Sequence, residues 1–172
     1  ERGDKIVLNC MMAETYIPEG QEDSAFVFLD RAMKSYKEKA KNYQKQGREA
    51  ILPNCFLSPC YLFADLLWKK GKIQQASQYY MIVEPLMKER VKTPVRMELQ
   101  IKALTNFSSF CRETKQYEKA LDLLARRDSV LQTYLEFKAK NDKKNYAERL
   151  KIQELKHELN ESEDANRVNT HV

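Results

Sequence analysis

The sequence predicts an all-α protein in which antiparallel helical hairpins are followed by a long C-terminal helix. Three observations predict this class. The 172 residues include only 4 glycines and 5 prolines, too few to supply the many turns of a β-sandwich or β-barrel. Small residues recur at matching places in three segments. No glycine or proline follows residue 94, so the last part of the chain can form one long helix.

The three segments align on an alanine that comes early in the second helix of each predicted hairpin. These alanines are Ala25, Ala76 and Ala120, each preceded twelve positions earlier by Ala13, Ala64 or Ser108 and followed four positions later by Leu29, Tyr80 or Leu124. Small residues on facing helices let antiparallel helices approach closely, and the large residue fills the space beside them. The pattern predicts about three helical hairpins within residues 1–127.

Two glycines are placed where the first helix of a hairpin has to end. Gly20 and Gly71 each precede a second helix by a few residues. A helix commonly ends in a left-handed residue, a conformation that glycine adopts without steric cost. We therefore expect both glycines to close first helices. The third segment has Lys115 at the corresponding turn.

These residues resemble the tetratricopeptide (TPR) repeat family. The resemblance is carried by residues 70–76 and 115–120, which look like the turn between paired helices, and in the first unit by Ala13, Gly20 and Ala25. It implies an array of helical hairpins with a concave binding surface. The alignment alanines are 51 and 44 residues apart, whereas the family repeats every 34 or so residues. The repeats would therefore be degenerate, with lengthened second helices and linkers.

Caps and helix breakers set the expected limits of the individual helices. Ser58 and Thr93 each stand before a proline and are expected to cap a new helix. Gly47 is expected to stop the second helix, and Pro85 to kink or end the fourth near residue 84. The helices predicted in this way cover residues 5–18, 22–46, 58–70, 73–90, 95–113, 117–126 and 128–160.

The region after residue 127 looks less like a repeat. Ile152, Leu155 and Leu159 are spaced by three and four residues with charges between them, which suits a short coiled coil or a docking helix. We expect residues 128–160 to form a signalling helix that could pair two copies of the chain, or a capping helix folded on the last repeat. Residues 161–172 have no periodicity and are expected to be a frayed tail.

Composition and charge exclude several classes of protein. The chain has 30 Lys and Arg against 25 Asp and Glu, a formal net charge of +5 that is weaker than that of a dedicated nucleic-acid binder. The basic stretch over residues 31–48 is read as a solvated helix face in preference to a patch for an anionic partner. No apolar run reaches the 18 or so residues that a membrane span needs.

Nothing in the sequence indicates catalysis or a cofactor. The four glycines form no phosphate-binding loop, and neighbouring acidic residues look solvated. His157 lies in a string, residues 156–160, that resembles the phosphoacceptor box of sensor histidine kinases, but we interpret it as a surface residue. We therefore expect no enzyme activity, no catalytic residues, no cofactor and no metal site in this chain.

The four cysteines do not have the spacing of a zinc site. An even number would permit two disulfide bridges in an oxidising compartment, with three alternative pairings. Four in 172 residues is far from a disulfide scaffold, and two of them fall in apolar helical stretches. Buried free thiols are therefore the favoured interpretation of Cys10, Cys55, Cys60 and Cys111.

The first helices of the hairpins should line the concave face and bind a protein or peptide partner. Polar residues with aromatic anchors are expected there: Asn9, Glu14, Tyr61, Asp65, Trp68, Lys102, Thr105, Asn106, Ser109 and Arg112. Lys102 and Arg112 could meet a carboxylate or phosphate, and aromatic rings supply rigid contact area. The alternative is that Tyr61 and Trp68 simply pack between hairpins.

The order of elements resembles a larger class of signalling proteins. The chain has degenerate hairpins, followed by residues 127–130 and by a Lys- and Glu-rich helix. This order is similar to that in the extracytoplasmic sensor region of TPR-bearing sensor histidine kinases of Bacteroides-type bacteria. The resemblance implies a periplasmic, non-enzymatic sensor of a membrane-anchored two-component protein, with the last helix passing the signal towards the membrane. The alternative is a cytosolic TPR scaffold that mediates protein interactions.

Overall fold

The computed structural model describes residues 2–170, and of residues 2–4 only the backbone. All regular structure in this range is helical, which confirms the predicted all-α array of hairpins with a long C-terminal helix. The elements are α1 (Arg2–Tyr16), α2 (Glu22–Lys45), a short 3₁₀ helix (Asn54–Phe56), α3 (Leu57–Lys69), α4 (Ile73–Lys88), α5 (Pro94–Glu113) and α6 (Tyr117–Thr170).

The chain divides into two units, one ending at Leu131 and the other beginning at Gln132. In the first unit, α1 packs against α2 and α3 against α4, and α3 also contacts α1, α2 and α5. The first turns of α6 are fixed to α4 by ion pairs. Lys119 Nζ lies 3.0 Å from Glu84 Oε1, and Lys88 Nζ lies 3.0 Å from Asp122 Oδ2. These ion pairs join the start of α6 to the preceding hairpin.

The small residues on which the three segments align are all buried. They are Ala13, Ala25, Ala64, Ala76, Ser108 and Ala120, none of them more than 5% exposed. Two of the three large residues that follow them, Leu29 and Tyr80, are also buried, at 2% and 0% exposed. Leu124, at the third position, is only half-buried. The large aligned residue is therefore part of the buried core in the first two hairpins and is partly exposed to solvent in the last.

The three hairpin turns share one backbone geometry. Gly20 and Gly71 have φ of +71° and +78°, which confirms their predicted left-handed conformation, and Lys115 has φ of +63°. In each turn the next N–H donates to a carbonyl five residues earlier: Gln21 to Tyr16, Lys72 to Leu67 and Gln116 to Cys111. This bond is part of the Schellman ending of a helix. Lys115 carries a side chain in a conformation that favours glycine.

The structure corrects the Ser58 cap and excludes one of the two effects predicted for Pro85. The helix α3 begins at Leu57 instead of Ser58 because the 3₁₀ turn runs directly into it, so Ser58 lies inside the helix and caps nothing. Pro85 does not end α4, which continues to Lys88. The proline removes one backbone hydrogen bond because it has no N–H, and the helix continues past it for about one turn. At α5 the predicted Pro94 start is confirmed, but the Thr93 side chain makes no capping hydrogen bond.

The C-terminal region also differs from the prediction. Instead of separate helices over 117–126 and 128–160, α6 is one helix of 54 residues. No glycine or proline interrupts the chain around residue 127, so nothing stops the helix at the end of the hairpin. Of the predicted frayed tail, residues 161–170 are helical, and residues 171 and 172 lie outside the described residues.

The second unit, taken by itself, buries none of its described residues, 132–170. Eight of its large apolar side chains are well exposed, and Tyr134 is half-buried; the exposed ones are Leu135, Phe137, Tyr146, Leu150, Ile152, Leu155, Leu159 and Val168. At 3.6 residues per turn, the row of Ile152, Leu155 and Leu159 lies on the opposite side of the helix from Tyr146 and Leu150. Across the described chain, no helix combines the length and the apolar character needed to cross a membrane.

Candidate functional site

The last hairpin carries an open groove of about 480 Å³ between α5 and the first turns of α6. We call it the terminal groove. Its lining comprises Thr105, Ser108, Ser109 and Arg112 from α5 and Tyr117, Ala120, Leu121, Leu124 and Arg127 from α6. The groove therefore brings together three of the predicted site residues, Thr105, Ser109 and Arg112.

Within residues 2–170, no further hairpin follows the one that carries the groove. In the first two hairpins the residues equivalent to Leu124 are buried, as expected when each unit of a helical array packs against its neighbour. In the last hairpin Leu121 is 68% exposed and Tyr117 is 59% exposed. The terminal groove thus presents the kind of apolar surface that a following unit would otherwise bury.

The charge of the groove is positive. Arg112 and Arg127 line it, and no acidic residue does. Arg127 forms an ion pair with Asp128, with Nη2 and Oδ1 3.0 Å apart. Arg112 is exposed and makes no ion pair with any residue in the part of the chain that the structure describes. Its guanidinium is therefore free to bind an anionic group.

The hydroxyl groups on the α5 side of the groove are oriented by the helix backbone. Ser108 Oγ and Ser109 Oγ both donate to the carbonyl of Thr105, at 2.8 and 3.1 Å, and Thr105 Oγ1 donates to the carbonyl of Ile101 at 2.7 Å. With their protons engaged, these oxygens retain lone pairs that can accept hydrogen bonds from a ligand. The groove thus combines a cation, hydrogen-bond acceptors and an apolar floor.

A second group of predicted site residues lies where α3, α4 and α5 meet. Asp65 accepts one hydrogen bond from the Tyr80 hydroxyl and another from Asn106 Nδ2, the latter at 2.6 Å. Burial raises the pKa of Asp65 above its usual range, although both hydrogen bonds act in the opposite direction. Both carboxylate oxygens are therefore engaged in contacts that join the helices.

The predicted aromatic anchors pack against neighbouring helices. Tyr61 is buried, and burial followed by the nearby charge of Asp65 raises the pKa of its hydroxyl. Trp68 makes an edge-to-face contact with Phe110, their ring centroids 5.6 Å apart. Tyr80 stacks on Phe107 with centroids 4.9 Å apart. Aromatic side chains thus fill the space between the middle hairpin and α5.

The remaining predicted site residues are not brought into either group. Asn9 and Glu14 are half-buried on α1, and Lys102 is exposed on α5 without lining the terminal groove. The α6 side of the groove is absent from the predicted site residues, which all lie on first helices. The signal was present at Leu124, which aligns with core residues of the earlier hairpins but belongs to the last one. Among residues 2–170, no group of three His, Cys, Asp or Glu side chains could hold a metal ion.

A family model of the tetratricopeptide repeat matches residues 57–81, which cover α3 and the first part of α4. No curated protein and no solved structure matches the chain. The match supports the TPR resemblance for the middle hairpin, and TPR repeats are typically non-enzymatic protein-interaction modules. It does not extend to the similarity with sensor histidine kinases, which stays a prediction.

Proposed function

We propose that this protein is a non-enzymatic interaction module that binds a partner protein in the terminal groove, through a carboxylate placed next to an apolar side chain. The observation that carries the proposal is Arg112, a cation without an ion pair among the described residues, at the edge of an uncovered apolar groove. Charge complementarity selects an acidic segment as the occupant.

Each part of the groove has a role in this proposal. The planar guanidinium of Arg112 can bind both oxygens of a carboxylate. The hydroxyl oxygens of Thr105 and Ser109 accept hydrogen bonds from backbone N–H groups of the partner. Leu121 and Leu124 receive the apolar side chain, whose burial supplies most of the affinity.

Selection of peptides from a random library on the immobilised protein tests this function. We expect the selected peptides to share an acidic residue close to a large apolar one. Fluorescence anisotropy with a selected peptide then gives Kd for the wild type and for Arg112→Ala. Loss of a hydrogen bond to a charged group should weaken binding by about 10- to 100-fold.

The matched control is Lys102→Ala, which removes an exposed cation from the same helix outside the groove. Its Kd should stay within about twofold of the wild type, since surface pairs outside the site contribute little. Selected peptides without acidic residues, or equal losses in the two variants, would contradict the proposal.

We also propose that the module is the sensor region of a membrane-anchored bacterial two-component protein, on the extracytoplasmic side. Support comes from the resemblance in the order of elements and from α6, which lines the groove and continues for 54 residues in all. A partner that changes the packing of α6 on α5 would bias the helix beyond the groove. The second candidate, a cytosolic TPR scaffold, needs no such relay.

The full-length gene separates these two candidates. A signal sequence before residue 1 and a hydrophobic span soon after residue 172 are expected for the sensor, whereas a gene that encodes neither supports the scaffold. Fractionation of cells that express the full-length protein gives an independent test, with the sensor expected in the membrane fraction.

In the sensor, we propose that α6 pairs two copies of the chain through Ile152, Leu155 and Leu159, which are 52%, 63% and 58% exposed. Light scattering measures the mass in solution. Leu155→Glu should convert a dimer to a monomer because it buries a charge at the interface, while Leu150→Glu on the opposite side should not. A monomeric wild type at high concentration would contradict the pairing.

A further inference from the structure

A second cavity lies where the 3₁₀ helix and the start of α3 meet the end of α4 and the start of α5. Its volume is about 230 Å³, and we call it the junction pocket. Four apolar side chains line it: Leu57, Leu86, Val91 and Leu99. Cys55 also lines it and is half-buried, where the sequence predicted a buried thiol; the other three cysteines are buried as predicted. The junction pocket shares no lining residue with the terminal groove, so the two sites are separate.

The lining residues of the junction pocket differ in their exposure. Leu57, Leu86 and Gln100 are 6%, 5% and 1% exposed. Asn54, which also lines the pocket, is exposed, and Arg96 is half-buried. The entrance is therefore polar, and the inner end consists of apolar side chains and the amide of Gln100.

The charge at the entrance already has a partner. Arg96 Nη2 lies 3.1 Å from Glu89 Oε2, and the same nitrogen donates a hydrogen bond to Asn54 Oδ1. None of the described residues that line the pocket is acidic. A charged ligand would lose its hydration without gaining an unpaired charge in return, so the pocket favours a neutral molecule.

The amide of Gln100 is held in one orientation at the inner end. Its Nε2 donates to the carbonyl oxygens of Leu86 and Glu89, at 2.9 and 2.7 Å. Both carbonyls belong to the end of α4, where a helix has no further backbone donors for them. Because only the nitrogen of an amide can donate, these two bonds determine where its oxygen lies.

The oxygen of the same amide is left without a partner. Gln100 Oε1 is buried and accepts no hydrogen bond from any residue between positions 2 and 170. Buried polar atoms of this kind are rare in folded proteins, because they lose their hydration without compensation. The nitrogen faces the backbone of α4 and the side chain lines the junction pocket, so the oxygen is directed to the pocket.

We propose that the junction pocket binds a small neutral molecule that has an apolar ring and a single N–H or O–H group, and that this group donates a hydrogen bond to Gln100 Oε1. A cavity of about 150 Å³ is enough to hold benzene. The volume of about 230 Å³ therefore accommodates one ring or two fused rings. The apolar walls bury the ring, and the hydrogen bond selects molecules that carry a donor over molecules of the same shape that do not.

The test uses the whole chain and two probes of nearly the same shape. Indole has one N–H donor, and benzofuran has an ether oxygen in its place. NMR titration of the methyl signals measures both Kd values and locates the bound probe. Indole should bind saturably and shift the methyl signals of Leu57, Leu86, Val91 and Leu99. Benzofuran should bind at least about 10-fold more weakly, because it leaves Gln100 Oε1 without a donor.

Variants separate the roles of shape and hydrogen bonding. Val91→Phe fills the pocket from the connection between α4 and α5 and should remove saturable indole binding. The matched control is Val95→Phe, which adds the same ring at a position that is 68% exposed and outside the pocket, and its Kd should equal that of the wild type. Gln100→Leu should bind the two probes equally. If this variant fails to fold, the two probes on the wild type still decide the question.

Three results would each overturn the proposal: no saturable binding of indole, equal Kd values for indole and benzofuran on the wild type, or methyl shifts centred on Leu121 and Leu124 of the terminal groove. A pocket that holds only an ordered water would give the first result. Arg112→Ala, which should lose the peptide, should bind indole like the wild type. The two proposed sites can therefore fail independently.

Discussion

The contact between the middle hairpin and α5 and the terminal groove use similar side chains in different ways. In the first region the carboxylate of Asp65 is satisfied by Tyr80 and Asn106, and aromatic rings fill the surrounding space. In the second region Arg112 has no partner ion among the residues that the structure describes, and apolar side chains face solvent. The two regions differ because the side chains of the first region lie between neighbouring helices that pack on each side of them.

The comparison shows that polar residues on the first helices of a repeat array are not equivalent. Those between two hairpins serve to join them, since a buried polar group needs a partner. At the open end, Arg112 makes no ion pair within the described residues, and we propose that it binds a ligand. Substitutions in the covered region should therefore change stability, and substitutions in the terminal groove should change binding.

The largest effect is expected at Phe110 in the covered region. Its side chain is 0% exposed and contacts Trp68, Tyr80 and Phe107. Phe110→Ala should lower the free energy of unfolding by about 3–5 kcal/mol because it leaves a cavity among aromatic rings. Chemical denaturation monitored by circular dichroism measures this change.

The matched substitution in the groove is Tyr117→Ala, which removes an aromatic ring that is 59% exposed. It should lower the free energy of unfolding by less than about 1 kcal/mol. Equal losses for the two variants would show that the groove is as tightly packed as the covered region, contrary to the comparison.

A smaller effect is expected at Asp65. Asp65→Ala leaves the Tyr80 hydroxyl and the Asn106 amide without their acceptor, so it should destabilise the protein by about 1–3 kcal/mol. Thermal unfolding at neutral pH measures the loss. A variant as stable as the wild type would mean that these donors find other partners, and the network would then not join the helices.

The charge of Asp65 should also make stability depend on pH. Burial raises its pKa in the folded protein, so the unfolded chain releases this proton at lower pH. The folded state therefore loses stability as the pH rises from about 4 through the raised pKa. Asp65→Asn removes this pH-dependent contribution. The free energy of unfolding of the variant minus that of the wild type should therefore increase over that pH range. A constant difference would contradict the raised pKa.

A still smaller change in stability is expected at the left-handed residues of two hairpin turns. Lys115 occupies the left-handed position that Gly71 occupies in the middle hairpin, with φ of +63° and +78°. Lys115→Gly should stabilise the protein by about 0.5–1 kcal/mol, and Gly71→Ala should destabilise it by about 1 kcal/mol. No atom lies within 4 Å of a Cβ built on Gly71, so the second effect would report backbone conformation without a clash. Changes of the same sign in both variants would contradict the shared turn geometry.

The smallest change in stability is expected at Arg112. Because its exposed side chain has no ion pair within the described chain, Arg112→Ala should alter the free energy of unfolding by less than about 0.5 kcal/mol. Urea denaturation measures this. A loss above 1 kcal/mol would mean that Arg112 holds the hairpin together and would weaken its assignment as a binding residue.

Features that depend on local chemistry could be predicted from the sequence. The left-handed Gly20 and Gly71, the buried alanines and the start of α5 at Pro94 all follow from short patterns. The continuity of α6 was missed because a hairpin of ordinary length was expected to end near residue 127, and no residue there enforces that end.

Features that depend on which surfaces meet could not be predicted in the same way. The pairing of Asp65 with Asn106 joins residues 41 positions apart and appears only when α3 and α5 pack together. Within residues 2–170 no further hairpin follows the one that carries the groove, and the same Leu124 would be a core residue if another hairpin followed. The sequence pattern identified the types of residue but did not show which of them have hydrogen-bond or packing partners within the fold.

Hydrogen–deuterium exchange in the presence of a selected acidic peptide tests the central claim most directly, because it locates the bound partner on the array. Binding in the terminal groove predicts slower exchange over residues 105–127 and unchanged exchange over residues 57–69. Protection centred on residues 57–69, with none over residues 105–127, would contradict the account and place the partner on the face that carries Tyr61, Asp65 and Trp68.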